Sequence, residues 1–74
     1  MEVITTNTLR EVRESRGYTQ AEVAHAVGCD VHTLSRYENW LREPSIGVAI
    51  RLAAYYNIAL EKLFTVKETK EQQA

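Results

Sequence analysis

The chain has 74 residues, of which 45% are hydrophobic and 26% charged, a balance typical of one small folded domain rather than of a disordered segment. No apolar run approaches the ~20 residues of a membrane-spanning helix, and a single cysteine excludes an internal disulfide, so we expect a cytoplasmic protein that does not bind membranes. Nine basic and ten acidic residues give a net charge of −1, which excludes a general attraction to nucleic acid and leaves only a local basic site.

Helical periodicity and capping residues predict five helices, over residues 9–16, 20–27, 31–39, 46–56 and 60–64. The predicted N-terminal caps share a short side chain that accepts a backbone hydrogen bond, and they are Thr8, Thr19, Asp30 and Ser45. Each of the two threonines is followed three positions later by a glutamate, which forms a capping box. The predicted helix ends tolerate a left-handed backbone, and they are Gly17, Gly28 and Asn57.

The two ends of the chain are predicted to lie outside these helices. Residues 1–8 would form an N-terminal arm, either loose or with Val3 and Ile4 on the core, and residues 65–74 a flexible tail. No stretch alternates between apolar and polar residues with a period of two, so no strand is predicted. The predicted fold class is therefore all-α, with one five-helix domain over residues 9–64.

The segment from residue 19 to residue 39 carries the most specific pattern. Two helices that meet at a wide angle need a small residue at their closest approach, and Ala24 provides it. The turn needs a residue that tolerates positive φ, which Gly28 supplies four positions later. A bulky apolar residue must then fill the angle, and Leu34 follows six positions beyond. This order predicts a helix-turn-helix.

Four motifs extend this pattern: Arg-x-x-x-Gly-Tyr-Thr-Gln from Arg13, Leu-Ser-Arg-Tyr-Glu-Asn from Leu34, Arg-Glu-Pro-Ser from Arg42 and Asn-Ile-Ala-Leu-Glu-Lys-Leu-Phe from Asn57. With them, residues 9–64 resemble the phage repressor and Cro family of DNA-binding regulators, the Xre-like proteins. The resemblance implies a five-helix, lambda-repressor-like domain that binds double-stranded DNA, usually as a homodimer, and regulates transcription. A repressor is the expected kind of regulator.

A helical wheel of the second helix of the motif places polar side chains on one face and Leu34, Tyr37 and Glu38 on the other. The polar face and the helix start supply the candidate base-reading residues, which are Val31, His32, Thr33, Ser35 and Arg36. Arg36 can donate two hydrogen bonds to guanine, and His32 can donate or accept at a base edge. The resemblance assigns base reading to the positions of Val31, His32 and Arg36. Without the flanking helix-turn-helix pattern, the same polar face would be explained by simple exposure to solvent.

Phosphate contacts are expected from Gln20, Asn39 and Arg42. Gln20 begins the first helix of the motif, where free backbone N–H groups and the helix dipole favour an anion. The resemblance places the other two beside the loop where the family holds the DNA backbone. It also implies a structural ion pair between Arg13 and Glu38.

Trp40 departs from the family, which generally has glycine at this position. Because the chain leaves the preceding helix in a left-handed conformation, we expect either that Asn39 adopts this conformation instead or that the loop follows another course. The indole would pack over the loop, or it would lie against a DNA strand or a partner subunit.

The apolar residues of the last helix, Leu60, Leu63 and Phe64, are candidates for a homodimer interface, with burial in the core as the alternative. A two-fold dimer would present its reading helices about one duplex turn (~34 Å) apart and would select a pseudo-palindromic operator.

Other functions have weaker support. The spacing of His25, Cys29 and His32 could suggest a metal site, but the helix breaks at Gly28 between them, so we predict no metal and no cofactor. No nucleophile–base pair indicates an enzyme, and no catalytic residue is assigned. The alternative to a DNA-binding regulator is a protein-interaction module on the same scaffold, such as an antitoxin, an anti-repressor or an adaptor, with a protein partner.

Overall fold

The structure, a computed structural model, describes residues 2–69. In chain order its elements are β1 (Glu2–Asn7), α1 (Leu9–Ser15), α2 (Gln20–Val27), α3 (Val31–Glu38), α4 (Ile46–Tyr56), α5 (Leu60–Leu63) and β2 (Phe64–Thr69). The five predicted helices are confirmed, and their ends differ from the prediction by at most one residue. The predominantly helical fold class is confirmed too, and the two strands are an addition to it. Within residues 2–69, no helix has the length and apolar character needed to cross a membrane.

Side-chain caps begin three of the helices as predicted. Thr19 Oγ1 accepts the N–H of Glu22 (3.1 Å) while Glu22 Oε1 accepts the N–H of Thr19 (2.7 Å), which completes a capping box. Asp30 and Ser45 likewise accept the backbone N–H three residues on, at 2.8 Å and 3.3 Å. The left-handed residues that follow α1, α2 and α4 are also the predicted ones, Gly17, Gly28 and Asn57.

Thr8 is the N-cap residue of α1 as predicted, but the capping box predicted there is wrong, because the Thr8 side chain makes no capping hydrogen bond in the described part of the chain. The N–H of Thr8 donates to the Leu63 carbonyl (3.1 Å). Asn7 supplies the side-chain acceptor instead, since Asn7 Oδ1 accepts the N–H of Leu9 (3.1 Å) and Asn7 Nδ2 donates to the Tyr37 carbonyl (2.8 Å). The start of α1 is therefore fixed by this local bond from Asn7 together with contacts to α3 and α5, rather than by the predicted capping box.

The two ends of the chain form an antiparallel pair of strands, which we call the terminal ribbon. Asn7 lies opposite Phe64, and Thr5 lies opposite Val66. Several residues of both strands are β-branched, which favours this conformation. The local sequence does not predict this pairing, because neither strand alternates regularly between apolar and polar residues and the two strands lie at opposite ends of the chain.

The terminal ribbon replaces the arm expected over residues 1–8 and the tail expected over residues 65–74, as far as those residues are described. Met1 and residues 70–74 lie outside the described part of the chain, and so do the side chains of Val3 and Ile4 that one alternative placed on the core.

The hydrophobic core takes residues from every helix: Leu9, Val23, Ala24, Val27, Leu34, Tyr37, Val48, Leu52, Tyr56 and Leu63. Ala24 and Leu34, which the helix-turn-helix pattern places where the two helices meet, are 2% and 0% exposed. Full burial of a large apolar side chain stabilises a fold by roughly 1.5–3 kcal/mol. The core contacts α3 on one side only, through Leu34 and Tyr37.

The hydroxyl of Tyr56 is buried in this core without a hydrogen-bond partner among the described residues. Burial raises the pKa of Tyr56 to about 12, and the negative charge of Glu38 adds to the rise. Arg16 donates from Nη1 to the Tyr56 carbonyl (2.6 Å), and its guanidinium lies 5.7 Å from the centre of the Tyr56 ring. Arg16 thus contacts both the backbone and the ring of Tyr56, whereas the hydroxyl has no hydrogen bond among the described residues.

Candidate nucleic-acid interface

The turn between α2 and α3 is held from two sides. Gly28 has φ 81°, and its N–H and that of Cys29 donate to the Ala24 carbonyl at 2.9 and 3.0 Å, which ends α2. From α4, Arg51 donates through Nε to the Val27 carbonyl (2.8 Å). A positive charge therefore lies at the C-terminal end of α2, where the helix dipole favours it. No local sequence signal points to Arg51, since tertiary packing alone brings it here.

A buried side and an open side divide α3. Leu34, Tyr37 and Glu38 are buried, at 0%, 6% and 5% exposure. The candidate base-reading residues lie on the other side, where Val31, His32 and Arg36 are exposed and Thr33 and Ser35 are half-buried. The structure thus brings these residues together on one accessible face.

Thr33 is engaged at the start of α3. Its N–H and its Oγ1 both donate to the carboxylate of Asp30, at 2.8 and 3.1 Å. These hydrogen bonds hold the pKa of Asp30 below its usual range, so the exposed carboxylate is ionised at neutral pH. Thr33 therefore serves as the capping partner of Asp30, and the adjacent negative charge disfavours a phosphate at this end of the helix.

The carboxylate of Glu38 joins three helices. Arg13 donates to it from Nε (2.7 Å) and from Nη2 (3.2 Å), and Gln20 donates from Nε2 (3.0 Å). The side chain of Glu38 is 0% exposed and that of Arg13 is 12% exposed, and the hydrogen bond to Glu38 raises the pKa of Arg13. Arg13 also donates to the Tyr18 carbonyl (3.0 Å). Arg13 and Glu38 thus form a bidentate ion pair between α1 and α3.

Two of the three candidate phosphate-binding side chains are engaged within the protein. Gln20, the first residue of α2, donates to the buried carboxylate just described. Asn39 donates from Nδ2 to the Ser35 carbonyl (2.9 Å) and accepts at Oδ1 from Nη2 of Arg10. Arg42 is exposed in the loop after α3. Arg10, which no sequence motif selected, joins this group through Asn39.

The left-handed residue after α3 is Trp40 itself. Asn39 has φ −95° and Trp40 has φ 62°, so the alternative in which Asn39 becomes left-handed in place of Trp40 is wrong. The N–H of Trp40 donates to the Tyr37 carbonyl (3.2 Å), and the N–H of Leu41 donates to the Arg36 carbonyl (2.9 Å). These two bonds form a Schellman motif in which tryptophan occupies the usual glycine position.

The indole of Trp40 ties this loop to the terminal ribbon. Its Nε1 donates to the carbonyl of Asn7, the last residue of β1, at 3.2 Å. Trp40 nevertheless remains 56% exposed. The N–H of the indole is therefore satisfied by the terminal ribbon, and much of the side chain stays accessible.

The sequence model of the helix-turn-helix family matches residues 9–63, which include all five helices. The chain belongs to the helix-turn-helix family. It is 31% identical over 64 residues to the HTH-type transcriptional regulator ImmR of Bacillus subtilis, an alignment that covers 86% of this chain and 50% of ImmR. It is 30% identical over 61 residues to the cryptic phage CTXphi transcriptional repressor RstR of Vibrio cholerae, covering 82% of this chain and 55% of RstR. The chain thus spans about half the length of these curated relatives.

The helix-turn-helix fold recurs in a crystal structure of a Bacteroides fragilis protein described as a candidate DNA-binding protein. The two chains superpose with a TM-score of 0.75 at 21% identity, over 84% of this chain and all of the other. This likeness concerns the fold. The resemblance to phage repressors noted from the sequence motifs is confirmed by the family match and by relatives such as RstR.

The helix-turn-helix domain also has an apolar groove of about 270 Å³, lined by Thr5, Glu43, Pro44, Ile46, Ala49, Leu60 and Phe64. Leu60 and Phe64 are half-buried at this groove, but Leu63 is 0% exposed. Leu63 therefore belongs to the core, which corrects its assignment to a dimer interface. Ile46 and Ile50 on α4, which lie outside the predicted interface, are 69% and 54% exposed. We call Ile46, Ile50, Leu60 and Phe64 the α4–α5 surface.

Proposed function

We propose that this chain binds double-stranded DNA with sequence specificity and regulates transcription, as a repressor. The observation that carries the proposal is the division of α3 into a buried side and an open polar side, together with the break at Gly28 that separates α3 from α2. A helix exposed in this way fits the major groove, where its polar side chains meet base edges.

Within this proposal, Arg36 and His32 read bases. Arg36 carries a planar guanidinium that matches O6 and N7 of guanine, and it is exposed on α3. Val31 and Ser35 assist from the same face, whereas Thr33 contributes by holding the helix start through Asp30.

Phosphate contacts fix the position of the protein on the duplex. Arg42 offers an exposed guanidinium after α3. Gln20 is the first residue of α2, where its backbone N–H and the helix dipole favour a phosphate, while its side chain donates to Glu38. Because the overall charge is −1, binding to DNA of random sequence should be weak, and the contacts of the reading face should dominate.

Selection from a pool of random duplexes tests this proposal. The parent should enrich one pseudo-palindromic sequence, and Arg36→Ala should bind that sequence about 1–3 kcal/mol more weakly, roughly 5- to 150-fold, and lose preference at one base position per half-site. Arg16→Ala is the matched control, since it removes the same charge directly after α1, away from α3, and should keep the selected sequence. Enrichment of no sequence by the parent would refute the proposal, and unchanged selectivity in Arg36→Ala would refute the assigned reading face.

A homodimer is the second part of the proposal. The α4–α5 surface supports it, because monomeric proteins rarely leave neighbouring large apolar residues this exposed. Ile50→Glu should yield a monomer in sedimentation analysis and weaken binding to the full operator more than to a half-site. Ser15→Glu adds the same charge on α1, outside this surface, and should remain dimeric. A parent chain that stays monomeric at high concentration and on DNA would exclude the dimer.

The same exposed apolar surface supports a second candidate function, a protein-interaction module such as an antitoxin, an anti-repressor or an adaptor. A tight complex with another protein that Ile50→Glu abolishes, in a chain that enriches no duplex, would favour this function over DNA reading.

A further inference from the structure

The C-terminal end of α3 carries a second group of exposed side chains, beyond the base-reading face. Arg10, Asn39 and Trp40 line a pocket of about 210 Å³, together with Asn7, Glu11 and Glu38. We call Arg10, Asn39 and Trp40 the Trp40 surface. Its chemistry combines a guanidinium, an amide and the flat face of an indole.

The conformation of Trp40 keeps an apolar ring accessible. A φ of 62° is unfavourable for a bulky residue and persists only where the surroundings impose it, a pattern that concentrates at functional sites. The Schellman bonds fix the backbone, and the bond from Nε1 to Asn7 (3.2 Å) fixes the ring. Since the only polar atom of the ring is already bonded, the exposed remainder offers a flat apolar face for a ligand to pack against.

Arg10 supplies the charge of this surface. Its side chain is 44% exposed, its Nη2 donates to Asn39 Oδ1, and its Nε lies 3.9 Å from Glu38 Oε1. The remaining N–H groups of its guanidinium can serve an external acceptor. Asn39, by contrast, spends its own amide on the Ser35 carbonyl (2.9 Å). Arg10 is therefore placed to contact a ligand directly, and Asn39 to position it.

The Trp40 surface continues the reading face by one helical turn. Asn39 follows Ser35 and Arg36 along the same side of α3 and is exposed like Arg36. A helix lying in the major groove is flanked by the two sugar–phosphate strands, so a surface at its end meets a strand rather than a base edge. Glu11, which borders the pocket, repels phosphates close to it, so this surface suits a single phosphate held by Arg10 rather than a cluster of phosphates.

From these observations we infer that the Trp40 surface binds one sugar–phosphate strand of the duplex, with a phosphate on Arg10 and a deoxyribose against the indole of Trp40. The inference rests on the proposed function and adds a cationic phosphate contact to the one expected from Arg42. It also changes the role of Asn39 from a direct phosphate ligand to a positioning residue.

Fluorescence provides the first test, because Trp40 is the only tryptophan of the chain. Acrylamide quenching of the parent is measured alone and saturated with the duplex selected from the random pool. The Stern–Volmer constant should fall at least about twofold in the complex, since a strand covering the indole excludes the quencher. It should stay unchanged when the protein is concentrated without DNA.

Salt dependence provides the second test. Each phosphate contact makes the slope of log affinity against log salt concentration more negative by about 0.9. Arg10→Gln should therefore make this slope shallower by about 0.9 per bound protomer, which amounts to about a 3.5-fold smaller loss of affinity between 50 and 200 mM salt. The selected sequence should not change, because a phosphate contact carries no base information. Arg16→Gln is the matched control and should keep the parent slope.

Variants of Trp40 separate the ring from its N–H group. Trp40→Phe should bind DNA close to the parent, and Trp40→Gly, which suits the positive φ, should bind all duplexes several-fold more weakly while remaining folded. The inference is overturned if Trp40 is quenched equally in the complex and Arg10→Gln keeps the parent slope, while Arg36→Ala still loses selectivity. It is also overturned if self-association alone shields Trp40, which would assign the surface to a second copy. Failure of the parent to bind any duplex refutes instead the proposed function.

Discussion

Replacing Glu38 by alanine should destabilise the domain severely, because this carboxylate links α3 to both α1 and α2. Glu38 is fully buried in its side chain, and Arg13 beside it is 12% exposed. The substitution leaves the Arg13 guanidinium and the Gln20 amide without their acceptor. Removing one partner of a buried pair costs about 3–5 kcal/mol.

That loss is large for a chain of this size. A domain of 74 residues has a free energy of unfolding of about 4–11 kcal/mol by the usual per-residue range. At roughly 4–8 °C for each kcal/mol, Glu38→Ala should lower the melting temperature by about 12–40 °C. Urea and thermal unfolding followed by circular dichroism would measure both quantities.

A neighbouring glutamate provides the control. Glu14 Oε2 lies 3.9 Å from Nη2 of the same Arg13, but its side chain is 63% exposed, so Glu14→Ala should cost less than about 1 kcal/mol. The double variant Arg13→Met/Glu38→Leu should recover much of the stability, since it leaves no uncompensated charge of that pair. Equal melting temperatures for Glu38→Ala and Glu14→Ala would show that the buried pair does not support the fold.

Three further predictions concern stability and are measurable by the same unfolding assays. Thr19→Ala should cost about 1 kcal/mol because it removes a complete capping box, whereas Thr8→Ala should change little, and equal losses would contradict the cap assignments. Asn7→Ala should cost about 1–3 kcal/mol, because the buried N–H of Leu9 loses its acceptor and the Tyr37 carbonyl loses one of its donors. The raised pKa of Tyr56, about 12, means that the folded state keeps its proton where the unfolded state loses it. Stability should therefore fall by about 1.4 kcal/mol per pH unit between pH 10 and 12 from this group. Tyr56→Phe should remove that slope and should not destabilise the protein at pH 7, since the hydroxyl has no partner among the described residues; a persisting slope would point to another group.

The helices and their caps could be predicted because their signals are local. A capping box at Thr19 and a left-handed Gly28 act within four residues of the positions they control, so the sequence records them directly. The division of α3 followed from helical periodicity, since Leu34 and Tyr37 recur on the side opposite Arg36.

The features that escaped prediction depend on contacts between distant segments. The terminal ribbon pairs the first and last elements of the described chain, and the cap of α1 comes from Asn7, whose amide is oriented by the Tyr37 carbonyl on α3. Arg10 and Arg51 gain their roles from packing against other helices, and surface arginines have no distinctive pattern. Leu63 looked available for a partner because its place in the core is set by tertiary packing.

Buried and exposed positions alternate along α3, so substitutions there fall into two kinds: those that affect stability and those that leave it unchanged. Leu34 and Glu38 cannot vary without destabilising the domain, whereas the side chains of His32 and Arg36 are exposed. Under the proposed function, new side chains at those two positions would change the DNA sequence that is bound while leaving the fold intact. Related domains could therefore evolve new target sequences by single substitutions at exposed positions of α3, without a change of fold.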